Sequence, residues 1–175
     1  MKQSLYLLAL NFLLFLSFEA TGQKSQLKVI SNPVEYNDYI INQQNSIGSE
    51  LKVLISIVTN DSSFKTQALT ELSILTGVVE EAVNNLQNLK PIDPDSGLTA
   101  SAIDLFSFYK LIMSTSYKEL IDEIYAEAPD SEKMNRILTT ITEDEAKYDA
   151  AFQSSQQYFS EYYNFTLEEN ELKLD

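Results

Sequence analysis

Along residues 68–89, apolar side chains fall at Ala68, Leu72, Leu75, Val79, Ala82, Leu86 and Leu89, separated by gaps of four and three in unbroken alternation. At 3.6 residues per turn an α-helix gathers such a set onto one side, whereas a half-buried strand needs a period of two. The chain therefore contains a long amphipathic helix whose apolar face must be covered by other elements. The same spacing recurs at Ile40, Gln44, Ile47, Leu51, Leu54 and Val58, after a strong helix start at Asn32-Pro33-Val34-Glu35. There Asn32 can cap, Pro33 suits the first helical position and Glu35 favours the first turn. It returns at Phe106, Tyr109, Met113, Tyr117, Leu120, Ile124 and Ala128, in a helix opening near Thr99 or Ser101. A last stripe holds Met134, Ile137, Ile141, Tyr148, Phe152, Phe159 and Tyr162, capped by Asp130 or Ser131 and running to about residue 165.

The breaks between these stripes are short. Residues 60–63 carry serines able to cap the second helix, Pro91-Ile92-Asp93-Pro94-Asp95-Ser96-Gly97 cannot continue a helix, and Pro129 ends the third. Short links force successive helices antiparallel. The expected fold is all-α, an antiparallel up-down-up-down four-helix bundle over residues 32–165, with helix crossings near ~20°.

Ahead of the bundle, Met1 and Lys2 precede an apolar run over 5–18, and Ala20 and Gly22 place small side chains where a signal peptidase reads. Residues 1–22 thus read as a signal peptide with cleavage before Gln23. The run contains Asn11 and is shorter than the ~20 apolar residues a membrane span takes. Export to the periplasm or beyond the cell follows, without a stable membrane anchor. Residues 23–31 read as a flexible linker and 166–175 as an acidic tail.

The chain holds 12 basic and 26 acidic residues, a net charge of −14 that cleavage leaves unchanged because it removes one base and one acid. Such a surface repels nucleic-acid phosphates and anionic headgroups, so neither is an expected partner. There is no cysteine to build disulfides or accept a lipid. Nor is there histidine, the usual zinc, copper and iron ligand and the commonest base near neutral pH. That removes the Glu-x-x-His di-metal centre of ferritin-like bundles and histidine-ligated haem. No catalytic, cofactor or metal site is expected. Asp93 and Asp95 sit in a turn-forming run that lacks the register of a calcium loop.

Adjacent acids at Glu80-Glu81, Asp122-Glu123 and Glu143-Asp144-Glu145 read as solvated helix faces, except that Glu145 falls on the core line between Ile141 and Tyr148. Asn37 and Gln44 lie on the line that carries Ile40 and Ile47, and are expected as a buried polar layer fixing helix register. Five aromatics, Tyr158, Phe159, Tyr162, Tyr163 and Phe165, crowd the end of the last helix too densely for one buried face. Tyr158, Tyr162, Tyr163 and Phe165 are accordingly the candidate partner-binding residues, with Tyr158 and Tyr163 expected outward and the acids Glu168, Glu169 and Glu171 favouring a basic or neutral partner.

The opening helix, Asn32-Pro33-Val34-Glu35-Tyr36-Asn37-Asp38-Tyr39-Ile40-Ile41-Asn42-Gln43-Gln44, resembles that of uncharacterised secreted or surface-attached helical proteins of Bacteroidota and related bacteria, whose first helix similarly begins with a Tyr-Asn pair followed by a Gln. The resemblance implies no activity and no catalytic residues. The expected role is an exported, non-enzymatic domain that binds a protein or an envelope component, or scaffolds the envelope. The alternative is an envelope hydrolase working with carboxylates alone.

Overall fold

A computed structural model describes residues 27–60, 64–92 and 97–167. The predicted signal peptide, linker residues 23–26, the capping serines of the second helix, Asp93 and Asp95, and the acids of the tail lie outside the described residues. Within them the chain is all-α. The elements are α1 (Pro33–Val58), α2 (Lys65–Gln87), α3 (Leu98–Ile112), a π-helical segment Met113–Tyr117, α4 (Lys118–Ile124) and α5 (Ser131–Tyr163). No strand occurs among the described residues, and no described helix is long and apolar enough to cross a membrane.

Local chemistry sets the helix ends. Asn32 Oδ1 accepts from the backbone N–H of Val34 at 2.9 Å and of Glu35 at 3.2 Å, satisfying two donors of the first turn, and Pro33 gives up none. Gly97, with φ at +71°, supplies the left-handed residue from which α3 departs. Asp130 caps α5 by accepting from Lys133 N–H at 2.9 Å. Asn164 ends that helix in the left-handed region (φ 56°) and turns the chain so that Phe165 N–H donates to Ser160 O at 3.0 Å. Helix α4 stops at Ile124, short of the expected end at Ala128. There Glu123 accepts from Asp130 N–H at 2.7 Å and from Lys133 Nζ at 2.9 Å, closing the turn into α5.

The stripe on α2 is buried at every position expected, from Ala68 to Leu89. It packs against α1 on one side and α3 on the other, while α5 packs on α3; α1 and α5 are not among the closely packed pairs. Helix α3 is therefore flanked on two sides. Leu98, Ala102, Leu105 and Phe106 face the main core, and Phe108 and Ile112 join Ile141 of α5 in a second cluster. A helix covered twice is apolar most of the way round, so the single stripe expected for it omitted Phe108 and Ile112. Tyr148, expected in the core, is 40% exposed and stacks on Phe108 with ring centroids 4.6 Å apart.

Polar contacts tie named ends together. Tyr36 at the start of α1 shares a short hydrogen bond with Thr99 at the start of α3. Asn37 accepts from Gln156 near the end of α5, Gln43 accepts from Asn85 near the end of α2, and Lys65 at the start of α2 pairs with Asp122 near the end of α4. Residues 27–31, expected within a flexible linker, are tied down at Lys28. Its N–H donates to Asn88 O at 2.7 Å, its carbonyl accepts from Lys90 N–H at 2.8 Å, and its ammonium lies 3.8 Å above the Tyr39 ring. An aromatic face within ~6 Å of a cation is a favourable seat for it.

Candidate functional site

Where α1 and α5 stand apart, a cavity of about 100 Å³ opens beside the π-helical segment. Its wall combines Gln44 and Gly48 of α1, Tyr109 of α3, Tyr117 of the π segment and Glu145 of α5. The widened π turn places Met113 and Tyr117 on the same wall, four residues apart. Single π turns inside α-helices recur at functional sites. Glu145 is the acid that the sequence puts on a core line, and it lines the cavity together with Tyr109. Burial, then the negative charge of Glu145, raises both Tyr109 and Tyr117 above the usual phenol value, Tyr109 strongly, so both hydroxyls stay protonated.

The two residues expected as a buried polar layer part company. Asn37 is buried, and its Oδ1 accepts from Gln156 Nε2 at 2.9 Å, across the gap between α1 and α5. Gln44 is only half-buried and lines the cavity; the amide that bridges α1 to α2 beside it is Gln43, bonded to Asn85 at 3.0 Å. The offset follows from geometry. Gln44 looks into the open α1–α5 seam, whereas Gln43 faces the closely packed α2. Gln156→Ala should cost about 1 to 3 kcal/mol in urea denaturation by orphaning a buried carbonyl oxygen, and Gln44→Ala less than about 1 kcal/mol.

At the other end of α5 the aromatic cluster divides differently from expectation. Tyr163 and Phe165 pack on the buried Phe159, with ring centroids at 4.8 and 5.9 Å. The exposed rings are Tyr158, 50% accessible, and Tyr162, 62% accessible, with centroids 6.3 Å apart. The stripe steps from Phe159 by four residues to Tyr163, not by three to Tyr162, and after the left-handed Asn164 the ring of Phe165 packs on Phe159 as well. A groove of about 310 Å³ runs between Val34, Asn37 and Asp38 of α1 and Gln156, Phe165 and Leu167.

The remaining acids are mostly engaged. Glu80 pairs with Lys110 at 2.9 Å, Asp122 with Lys65 at 2.8 Å and Asp144 with Lys147 at 2.7 Å, all exposed pairs of small energetic weight. Sequence reasoning missed one arrangement, the facing carboxyls of Glu50 on α1 and Glu71 on α2. Glu71 Oε1 is shut away from water with no partner among the described residues. Its pKa is raised, first by a hydrogen bond with Glu50 that requires a proton, then by burial, then by repulsion from Glu50. Each residue alone reads as an ordinary polar position, and only the α1–α2 pairing brings them together.

A raised folded-state pKa means that the native state holds this proton more tightly than the unfolded chain. The associated stability is fully present below the unfolded carboxyl value of ~4.3 and is lost as pH rises through the folded value. Asp122, Glu123 and Asp130 act oppositely. Hydrogen bonds from Lys65, from Asp130 N–H and from Lys133 N–H, respectively, hold them low, so their share persists above the unfolded values and disappears as pH falls through the folded ones. Stability should therefore rise on mild acidification from neutral and fall in stronger acid. Glu71→Gln should flatten that rise and stabilise the neutral protein by up to about 1 kcal/mol, as followed by thermal melts across pH.

Comparison with known protein families, with curated proteins and with solved structures finds no match to this chain.

Proposed function

We propose that this chain is an exported, non-enzymatic up-down-up-down four-helix bundle that binds a protein or envelope component through the tyrosine-bearing end of α5. The antiparallel arrangement is supported by which ends meet: the start of α1 lies beside the start of α3 and near the end of α5, and the start of α2 beside the end of α4. Export rests on the residue pattern of 1–22.

The observation that carries the binding role is the exposed, stacked Tyr158–Tyr162 pair near the end of α5. Exposed tyrosines give a contact surface large apolar area with a polar tip, and fixed rings lose little freedom on binding. Hydrolysis by carboxylates alone is less well supported. It requires two acids across a cleft, ~5 Å apart for retention or ~6.5–9.5 Å for inversion. Glu50 and Glu71 adjoin each other, and neither lines the α1–α5 cavity or the groove beside the start of α1.

The test is a Tyr158→Ser/Tyr162→Ser double variant, used beside the natural protein as bait for envelope extract. Both side chains are exposed, so the melting temperature should hold while captured partners disappear. An identical set of partners would overturn the assignment of this surface.

A further inference from the structure

We infer that the cavity beside the π-helical segment is a binding site for a small primary ammonium ion, of the size of propylammonium. This site is separate from the tyrosine surface of α5 and does not depend on it. At about 100 Å³ the cavity is smaller than the ~150 Å³ apolar cavity that takes up a benzene ring, which suits a short alkylamine.

The lining selects for charge. Glu145 presents a carboxylate to the cavity beside Tyr109, and Asp149, one turn further along α5, adds negative potential at Tyr109. Both tyrosines remain neutral, so the wall carries hydroxyl groups and aromatic rings around acidic charge. Aromatic and carboxylate groups together form the usual seat of an organic cation. The chain's net charge of −14 concentrates cations at every such opening.

The lining also selects for an organic cation over a metal ion. Ile47, Leu51, Ile112 and Met113 make up much of the wall and can cover an alkyl chain but not coordinate a hard ion. A calcium ion takes ~6 to 8 oxygens, whereas no group of three metal-binding side chains exists among the described residues. Glu145 is half-buried and opens onto the cavity, so its carboxylate is placed to meet a cation there. The α1–α5 seam gives that cation a path in.

The experiment is an amide NMR titration of the full chain with propylammonium chloride, run beside sodium chloride at equal ionic strength and beside neutral 1-propanol. Propylammonium should produce saturable shifts centred on Gln44, Gly48, Met113 and Tyr117, and the two controls should not. Glu145→Gln keeps the shape but removes the charge, and should weaken propylammonium about tenfold or more. Should that variant fail to fold, Gly48→Ala narrows the cavity while leaving every polar lining group in place, and must also weaken binding. Absence of saturable shifts, equal shifts from 1-propanol, or unchanged affinity in the folded variant used would each overturn the assignment. Capture of partners through Tyr158 and Tyr162 is unaffected by any of these results.

Discussion

Phe159→Ala should cost about 3 to 5 kcal/mol of stability, the range for removing a fully buried aromatic ring. Phe159 has no exposed surface, and its ring meets Tyr36 at 5.7 Å, Tyr163 at 4.8 Å and Phe165 at 5.9 Å. These neighbours cannot readily close over the space. Tyr36 is held by its hydrogen bond to Thr99, and Phe165 by its N–H bond to Ser160 O. The cavity should persist, which places the cost at the upper part of the range. Tyr162→Ala, three residues on and largely exposed, should change stability by less than about 0.5 kcal/mol. Urea denaturation of both variants decides between the two positions. A small loss for Phe159 together with a large one for Tyr162 would mean that the last turns of α5 bury the opposite face.

How much of this was legible in the sequence depends on whether a helix meets its neighbours on one face or on more than one. Helix α2 is flanked by α1 and α3 on one broad side, so its buried set equals its apolar stripe. Asn32, Pro33 and Asp130 act locally, and their capping roles follow from residue type alone. Helix α3 was less legible because Phe108 and Ile112 serve a second interface with α5, which one stripe cannot represent. The π turn at Met113–Tyr117 left no local mark, since no Pro or Gly accompanies it. That turn also shifts the phase, so that Ile121 becomes the buried position and Leu120 is half-buried.

The candidate site was legible only in pieces. Glu145 stood out as an acid on a core line and Gln44 as an amide on another, but their meeting depends on the spacing of α1 and α5, which are sequence-distant. The expected layer of Asn37 and Gln44 assumed a closed bundle with every seam equally tight. The α1–α5 seam is open at Gln44 and bridged at Asn37, and that difference separates a structural amide from a cavity-lining one. At the end of α5 a one-residue change of step exchanged the expected roles of Tyr162 and Tyr163.

Leu75→Ala should cost about 2 to 5 kcal/mol, whereas Ile74→Ala, at the adjacent position of α2, should cost less than about 1 kcal/mol. The two residues carry the same number of side-chain carbons and the same backbone environment, so their difference isolates the face on which each lies. Leu75 is fully buried at the middle of the α2 stripe, and Ile74 is 48% exposed. A rotation of 100° per residue takes the second off the interface. Leu75 lies on the helix that packs closely against both α1 and α3, so the space it leaves is bounded by two neighbours that also hold each other through Tyr36 and Thr99. Collapse into that space would strain contacts on both sides, which keeps the expected loss above the low end of the range. The m-value should stay constant for both variants, because neither changes how much surface the unfolded chain exposes. Equal losses at the two positions would show that α2 is covered on its outer face as well, by a partner or a second copy of the chain.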